Sequence, residues 1–258
     1  MMRALRTPLL ATYAAALCVG LLSGCSDDGV IYQTLASTPT NWEFVAPSVS
    51  ASLSGELSAS KLSVSGVLHP GATTACISSA TAIPVSGTID HLGVLTLTGS
   101  ADGGTLTIVG TVNGPTSLTN VSLNVSGGSC ASPAAVPSTA TAYAPLNGNY
   151  TGSVNDASAQ KVQMGLALQQ STTTDAYGQF TATGTASFSS AACSFSSLTL
   201  SSSVVTGNAV SLTFTDSGTD RLVLTGTQSP DATQIALSSF ALSGTCTDSG
   251  TSGTLTRE

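Results

Sequence analysis

Two serine-lysine pairs, Ser58-Ala-Ser-Lys61 and Ser158-Ala-Gln-Lys161, have the i, i+3 spacing at which a lysine amine can activate a serine hydroxyl for acyl transfer. That chemistry needs a helix, because on a strand residues three apart point to opposite faces. His69 and His91 are the only histidines and so the only imidazole bases for a Ser-His-acid site. Each sits beside turn-forming residues, Pro70 and Gly71 for the first and Asp90 and Gly93 for the second, which predicts solvent-facing loops. Asp216-Ser-Gly-Thr-Asp220 could offer clustered oxygens to calcium or paired carboxylates to glycoside chemistry. It falls between strand-like segments, as Asp102 does, where aspartate serves a turn. No Gly-x-Ser-x-Gly elbow occurs, since Gly127-Gly128-Ser129 fails at Ala131. The expectation is therefore no catalytic residue, no metal and no cofactor.

The N-terminus carries a different chemistry. The opening "MMRALRTPLLATYAAALCVGLLSGC" has two arginines, an uncharged stretch from Leu9 to Leu22 and a small-residue end, the layout of a secretory signal. The apolar stretch is short for a membrane span, which disfavours a transmembrane anchor. Leu22-Ser23-Gly24-Cys25 resembles the lipobox of bacterial lipoproteins. The resemblance implies cleavage before Cys25, a diacylglycerol on its thiol and further acylation of the new amino group, giving a stable multi-chain anchor. The alternative is an ordinary secreted protein with a cysteine at the cut. Ser26-Asp27-Asp28 follows. An aspartate directly after the lipidated cysteine retains lipoproteins at the inner membrane in the best known sorting systems, so Ser26 there implies the outer membrane, on its periplasmic face or at the cell surface. Residues 1–24 thus read as a signal peptide and 25–40 as a tether.

Once Cys18 in the signal and Cys25 under lipid are set aside, Cys76, Cys130, Cys193 and Cys246 remain, paired at separations of 54 and 53 residues. The segments between them match: "VLTLTG" at 94–99 with "VSLTFT" at 210–215, and "LTIVGT" at 106–111 with "LVLTGT" at 222–227. Upstream, "LSVSGVL" at 62–68 answers "FTATGTA" at 180–186, and "NWEFVA" at 41–46 answers "NYTGSV" at 149–154. A fixed period of this kind marks an internal duplication, with copies at 41–145 and 146–258. An exported chain meets oxidising conditions, and the pairing that treats both copies alike is Cys76 to Cys130 and Cys193 to Cys246. The metal-site alternative lacks closely spaced cysteines and has no histidine in the second copy.

Each copy alternates Val, Ile, Leu and Thr with Ser and Thr in short runs bounded by Gly, Asn, Asp and Pro. The best helical stretch, residues 158–170, places Val162, Met164, Leu166 and Leu168 at every second position, which is a strand pattern. Six to eight antiparallel strands per copy predict an all-β chain of two tandem up-and-down barrels, with β-sandwiches as the alternative. The copies resemble calycin-like barrels, in which a first strand of the type Asn149-Tyr150 pairs with the last. Trp42, the single tryptophan, could stack on a sugar, but an aromatic on the first strand of a barrel more often plugs its end.

Charge narrows the partners. The net charge is −7, and loss of the signal leaves four cations against 13 acids, or −9, so phosphate backbones are repelled and nucleic acid is excluded. The missing aromatic girdles and short strands argue against a membrane-spanning barrel. What remains is an envelope-anchored, non-catalytic structural or ligand-binding module, its partner a small apolar ligand or an envelope component. The alternative is a hydrolytic enzyme with its site in the cleft between the copies.

Overall fold

The computed structural model describes residues 33–71, 82–101, 103–127, 134–191 and 193–258. Cys25, Cys76, Asp102 and Cys130 lie outside the described residues. Residues 32–258 form one compact unit, and most of its described residues lie in strands.

The first barrel begins with β1 (Thr40–Ala46), β2 (Ala51–Ser60), β3 (Ser63–Pro70) and β4 (Ile83–Ile89). β5 (Val94–Ala101), β6 (Gly104–Gly114) and β7 (Ser117–Gly127) follow, each antiparallel to the one before. Closure comes from one extended segment that serves two neighbours. Its first part, β8 (Val136–Pro137), pairs with β7, and its second, β9 (Thr139–Tyr143), pairs with β1. Between them the Ser138 N–H donates to the Val121 carbonyl at 2.9 Å, so the segment passes from one edge of the sheet to the other and nearly closes it. Covering both edges with one segment in this way shields much of the strand edge that would invite aggregation.

The second barrel is closed outright, in the order β10 (Asn147–Asp156), β11 (Lys161–Thr174), β12 (Phe180–Ser189), β13 (Ser194–Thr206), β14 (Ala209–Thr215), β15 (Arg221–Gln228), β16 (Gln234–Ser243) and β17 (Asp248–Arg257). The last strand pairs back with β10, so the open sandwich alternative does not apply to this body. Residues 158–170, the most helix-like stretch of the sequence, run into β11, with Val162, Met164, Leu166, Leu168 and Gln170 buried. The four matched segment pairs fall on strands of equal ordinal position in the two barrels: first, third, fifth and sixth.

Period-two alternation decides what fills each interior. In β1, Trp42, Phe44 and Ala46 point inward while Asn41, Glu43 and Val45 point outward. Trp42 is 1% exposed and stacks on Phe44 with ring centroids 6.1 Å apart, so it belongs to the first core. Its equivalent, Tyr150, is fully buried in the second core, and its hydroxyl donates to the Ala232 carbonyl at 2.9 Å. Burial pushes that phenol upward in pKa, partly offset by Arg257. Leu, Val and Phe side chains such as Leu198, Phe214, Leu224 and Ile235 occupy the rest of the second interior, the filled form of an eight-stranded barrel.

The hairpin turns reuse one device. Asp90, Asp156, Asp175 and Asp216 each place Oδ1 between the N–H groups two and four residues ahead, at 2.7–3.1 Å. These N–H groups would otherwise go unpaired at the turn, so the aspartates are explained by backbone geometry.

Candidate functional site

The residues whose types could do chemistry are scattered. Ser58 points outward from β2, while Lys61 occupies the left-handed turn after it at φ 56°. Ser158 lies in the β10–β11 turn and Lys161 opens β11 at the surface. Neither pair stands on a helix. Asp216 holds its own turn, and Asp220, 5% exposed, accepts from the Thr245 N–H at 2.6 Å and the Thr245 hydroxyl at 2.7 Å. The two carboxylates therefore serve different protein donors. Among the described residues no group of three or more metal-ligating side chains gathers. His91 lies in the exposed β4–β5 turn, as the sequence suggests, but His69 does not belong to a loop. It sits in β3, where pairing with Ser54 of β2 carries the strand through Pro70, and its ring lies 5.8 Å from that of Tyr177 in the second barrel.

Cys193 and Cys246 form a disulfide across 53 residues, with Cα atoms 6.2 Å apart. Cys193 precedes β13 and Cys246 lies in the β16–β17 turn, so the bridge spans one mouth of the second barrel between strands that are not neighbours. Asp220 binds Thr245 at the same mouth.

The opposite mouth meets the first barrel. The outward face of β1, β2 and β3 presents Asn41, Glu43, Ser54, Glu56, Val67 and His69, and the turns of the second barrel rest on it. Asn41 is the centre of this contact. Its Oδ1 accepts from the Gly207 N–H at 2.6 Å, and its Nδ2 donates to the Gly207 carbonyl at 2.8 Å, so one amide satisfies both backbone groups of the β13–β14 turn. Gln228 donates to the same carbonyl at 3.1 Å. Beside it the Thr206 hydroxyl donates to that of Ser54 at 3.1 Å. Two glycines make the approach feasible. Gly207 has φ 54°, and a Cβ there would meet the Ser54 side chain at 2.8 Å; Gly178, at φ 73°, lies so close to Val67 that a Cβ would strike its carbonyl.

Glu56 shares this wall, opposite Val67 in the β2–β3 register, and burial raises its pKa above the ordinary carboxylate value. A carboxyl with a raised folded-state pKa disfavours the folded form while ionised. Stability is gained as pH falls through the folded value and levels off below the unfolded one. Thermal midpoints should therefore rise in the wild type as the pH is lowered from 7 towards the ordinary glutamate value of 4.5, and Glu56→Gln should raise the pH 7 midpoint while flattening that slope. A variant with an unchanged slope would remove Glu56 as the cause. Asp231 does not blur the window: hydrogen bonds from Ser229 and Thr233 hold its carboxyl down at about 2, so its contribution is complete above the ordinary aspartate value and lost only in stronger acid.

Alongside the contact lies a cleft of about 460 Å³ lined by both barrels and by the segment joining them. Pro39 and Tyr143 come from the first barrel's side, Pro145 from the join, and Gln170, Phe180 and Pro230 from the second. Among the described residues that line it there is no Asp, Glu, His, Lys or Arg. Tyr143, the one titratable group among those described lining residues, donates its hydroxyl to Glu43 at 2.7 Å, and burial together with that carboxylate pushes its pKa well above the usual phenol range. It stays a neutral phenol. Sequence reasoning named a cleft between the copies only as the place for a hydrolytic site and missed the Asn41 contact; the available signal was a lone amide at an outward position of a strand whose other outward residues are Glu43 and Val45. Set beside known proteins, the chain matches no family model, no curated protein and no solved structure.

Proposed function

We propose that this chain is a lipid-anchored protein of the bacterial outer membrane whose two docked barrels act as a non-catalytic binding module. The observation that carries the reading is the inter-barrel cleft, a concave site of about 460 Å³ whose lining offers apolar surface and neutral hydrogen-bonding groups. Such a lining retains a ligand by burial and orientation, whereas acid-base or nucleophilic catalysis needs a titratable group with a tuned pKa. The filled barrel interiors give the module stiffness and leave binding to the surface between them.

The anchor rests on Leu22-Ser23-Gly24-Cys25. Mass spectrometry of the mature N-terminus should find Cys25 as the first residue, carrying acyl chains, and Cys25→Ala should accumulate as an uncut precursor. A mature N-terminus at any other residue would remove the envelope anchor from this account.

A further inference from the structure

We propose that the inter-barrel cleft binds one neutral small molecule with a ring-sized apolar body and a hydrogen-bond acceptor, held by Pro39, Pro145, Phe180 and Pro230 and oriented by the Gln170 amide. This assigns a ligand class to the module proposed above and rests on that reading for its biological setting.

The cleft volume lies within the range that encloses most of a small organic ligand. Three pyrrolidine rings and the Phe180 ring give rigid apolar contact that loses little side-chain entropy when covered. Gln170 supplies direction. It is 6% exposed, and its Oε1 accepts the Leu146 N–H at 3.0 Å, so Nε2 is the end of the amide assigned to a ligand. A bound molecule must therefore bring an acceptor, such as a carbonyl or ether oxygen. It is also uncharged, because the described lining residues offer no counter-charge to offset the desolvation of an ion. Since both barrels contribute, occupancy bridges them.

Benzophenone, a neutral diaryl ketone that crosslinks on illumination, has this chemistry, and 4-benzoylbenzoate adds one carboxylate to the same frame. The lipidated full-length protein in detergent is illuminated with each, and the crosslinks are mapped by mass spectrometry. Benzophenone should label saturably, at one site per chain, within 36–41, 116, 142–147, 170–172, 180 and 230. Labelling should fall at least tenfold with 4-benzoylbenzoate, with Thr172→Phe at the exposed rim, and with Gln170→Glu, which keeps Oε1 and removes the donors. Ser126→Phe, on the outer wall of β7, should leave it unchanged, and circular dichroism and the intact disulfide confirm that each variant folds. Unsaturable or scattered labelling, or full labelling of Thr172→Phe, overturns the site. Equal labelling by the anion overturns neutrality, and full labelling of Gln170→Glu overturns the donor assignment. The N-terminal mass of the same sample reports the anchor separately, so a labelled cleft on an unacylated chain would sink only the lipoprotein reading.

Discussion

Replacing both members of the Cys193–Cys246 bridge, as Cys193→Ala with Cys246→Ser, is expected to cost the second barrel about 4 kcal/mol, the loop-closure entropy for a ring of this size. The bridge joins the approach to β13 with the β16–β17 turn, so the unfolded chain loses freedom over half the barrel when it is closed. The folded barrel has its own support at that mouth, where Asp220 holds Thr245 by two hydrogen bonds. The strands should therefore still form in the double variant, with the same β-type circular dichroism and a much lower denaturant midpoint. Denaturant titration of the oxidised wild type against the double variant measures the difference. A loss below 1 kcal/mol would mean that the bridge is incidental to stability.

Asn41→Ala is expected to weaken the docking of the barrels by roughly 2–3 kcal/mol. The substitution strips a buried turn of its hydrogen-bond partner and leaves the Gly207 N–H unsatisfied, while Gln228 still serves the carbonyl. The cost falls on the contact and spares the two cores, because Asn41 points away from Trp42 and Phe44. Calorimetry should show one transition in the wild type and two in the variant, each barrel melting separately. A variant that melts in a single, unshifted transition would show that the amide does not hold the barrels together.

The two predictions draw on different kinds of information. The bridge was legible in the sequence because a duplicated chain shows its own symmetry: nearly equal cysteine spacings and matched strands at 94–99 and 210–215 point to the Cys193–Cys246 pairing before any geometry is known. The barrels were legible for the same reason, since inward and outward positions alternate strictly along β11 and the turns are marked by Asp and Gly. Docking broke the symmetry and was not legible. Asn41 of the first barrel engages a partner in the second, whereas Asn149, which opens the matching segment, is exposed. His69 was misread because Pro70 and Gly71 signal a turn locally, while pairing with β2 extends β3 through Pro70. Pro70 pairs with Leu53 of β2, while the described β3–β4 pairing ends at Leu68, so the missing proline N–H breaks no described ladder bond to β4 and the β2 pairing overrode the local signal.

The same asymmetry locates the cleft. Two barrels joined only by a linker would share no surface, and the neutral wall formed by Pro39, Tyr143, Phe180 and Pro230 would not exist. Docking and binding are thus one claim about the molecule. Its most direct test is residue-resolved hydrogen exchange at the Gly207 amide in the intact protein. Gly207 lies in a tight turn between β13 and β14, where a separated barrel would expose the N–H to water. Bonded to Asn41, it should exchange as slowly as the strand amides of β13, and Asn41→Ala should accelerate it by about 30- to 150-fold, the factor corresponding to 2–3 kcal/mol. Exchange of the wild-type amide at the rate of an open turn would contradict the docked structure and the cleft with it.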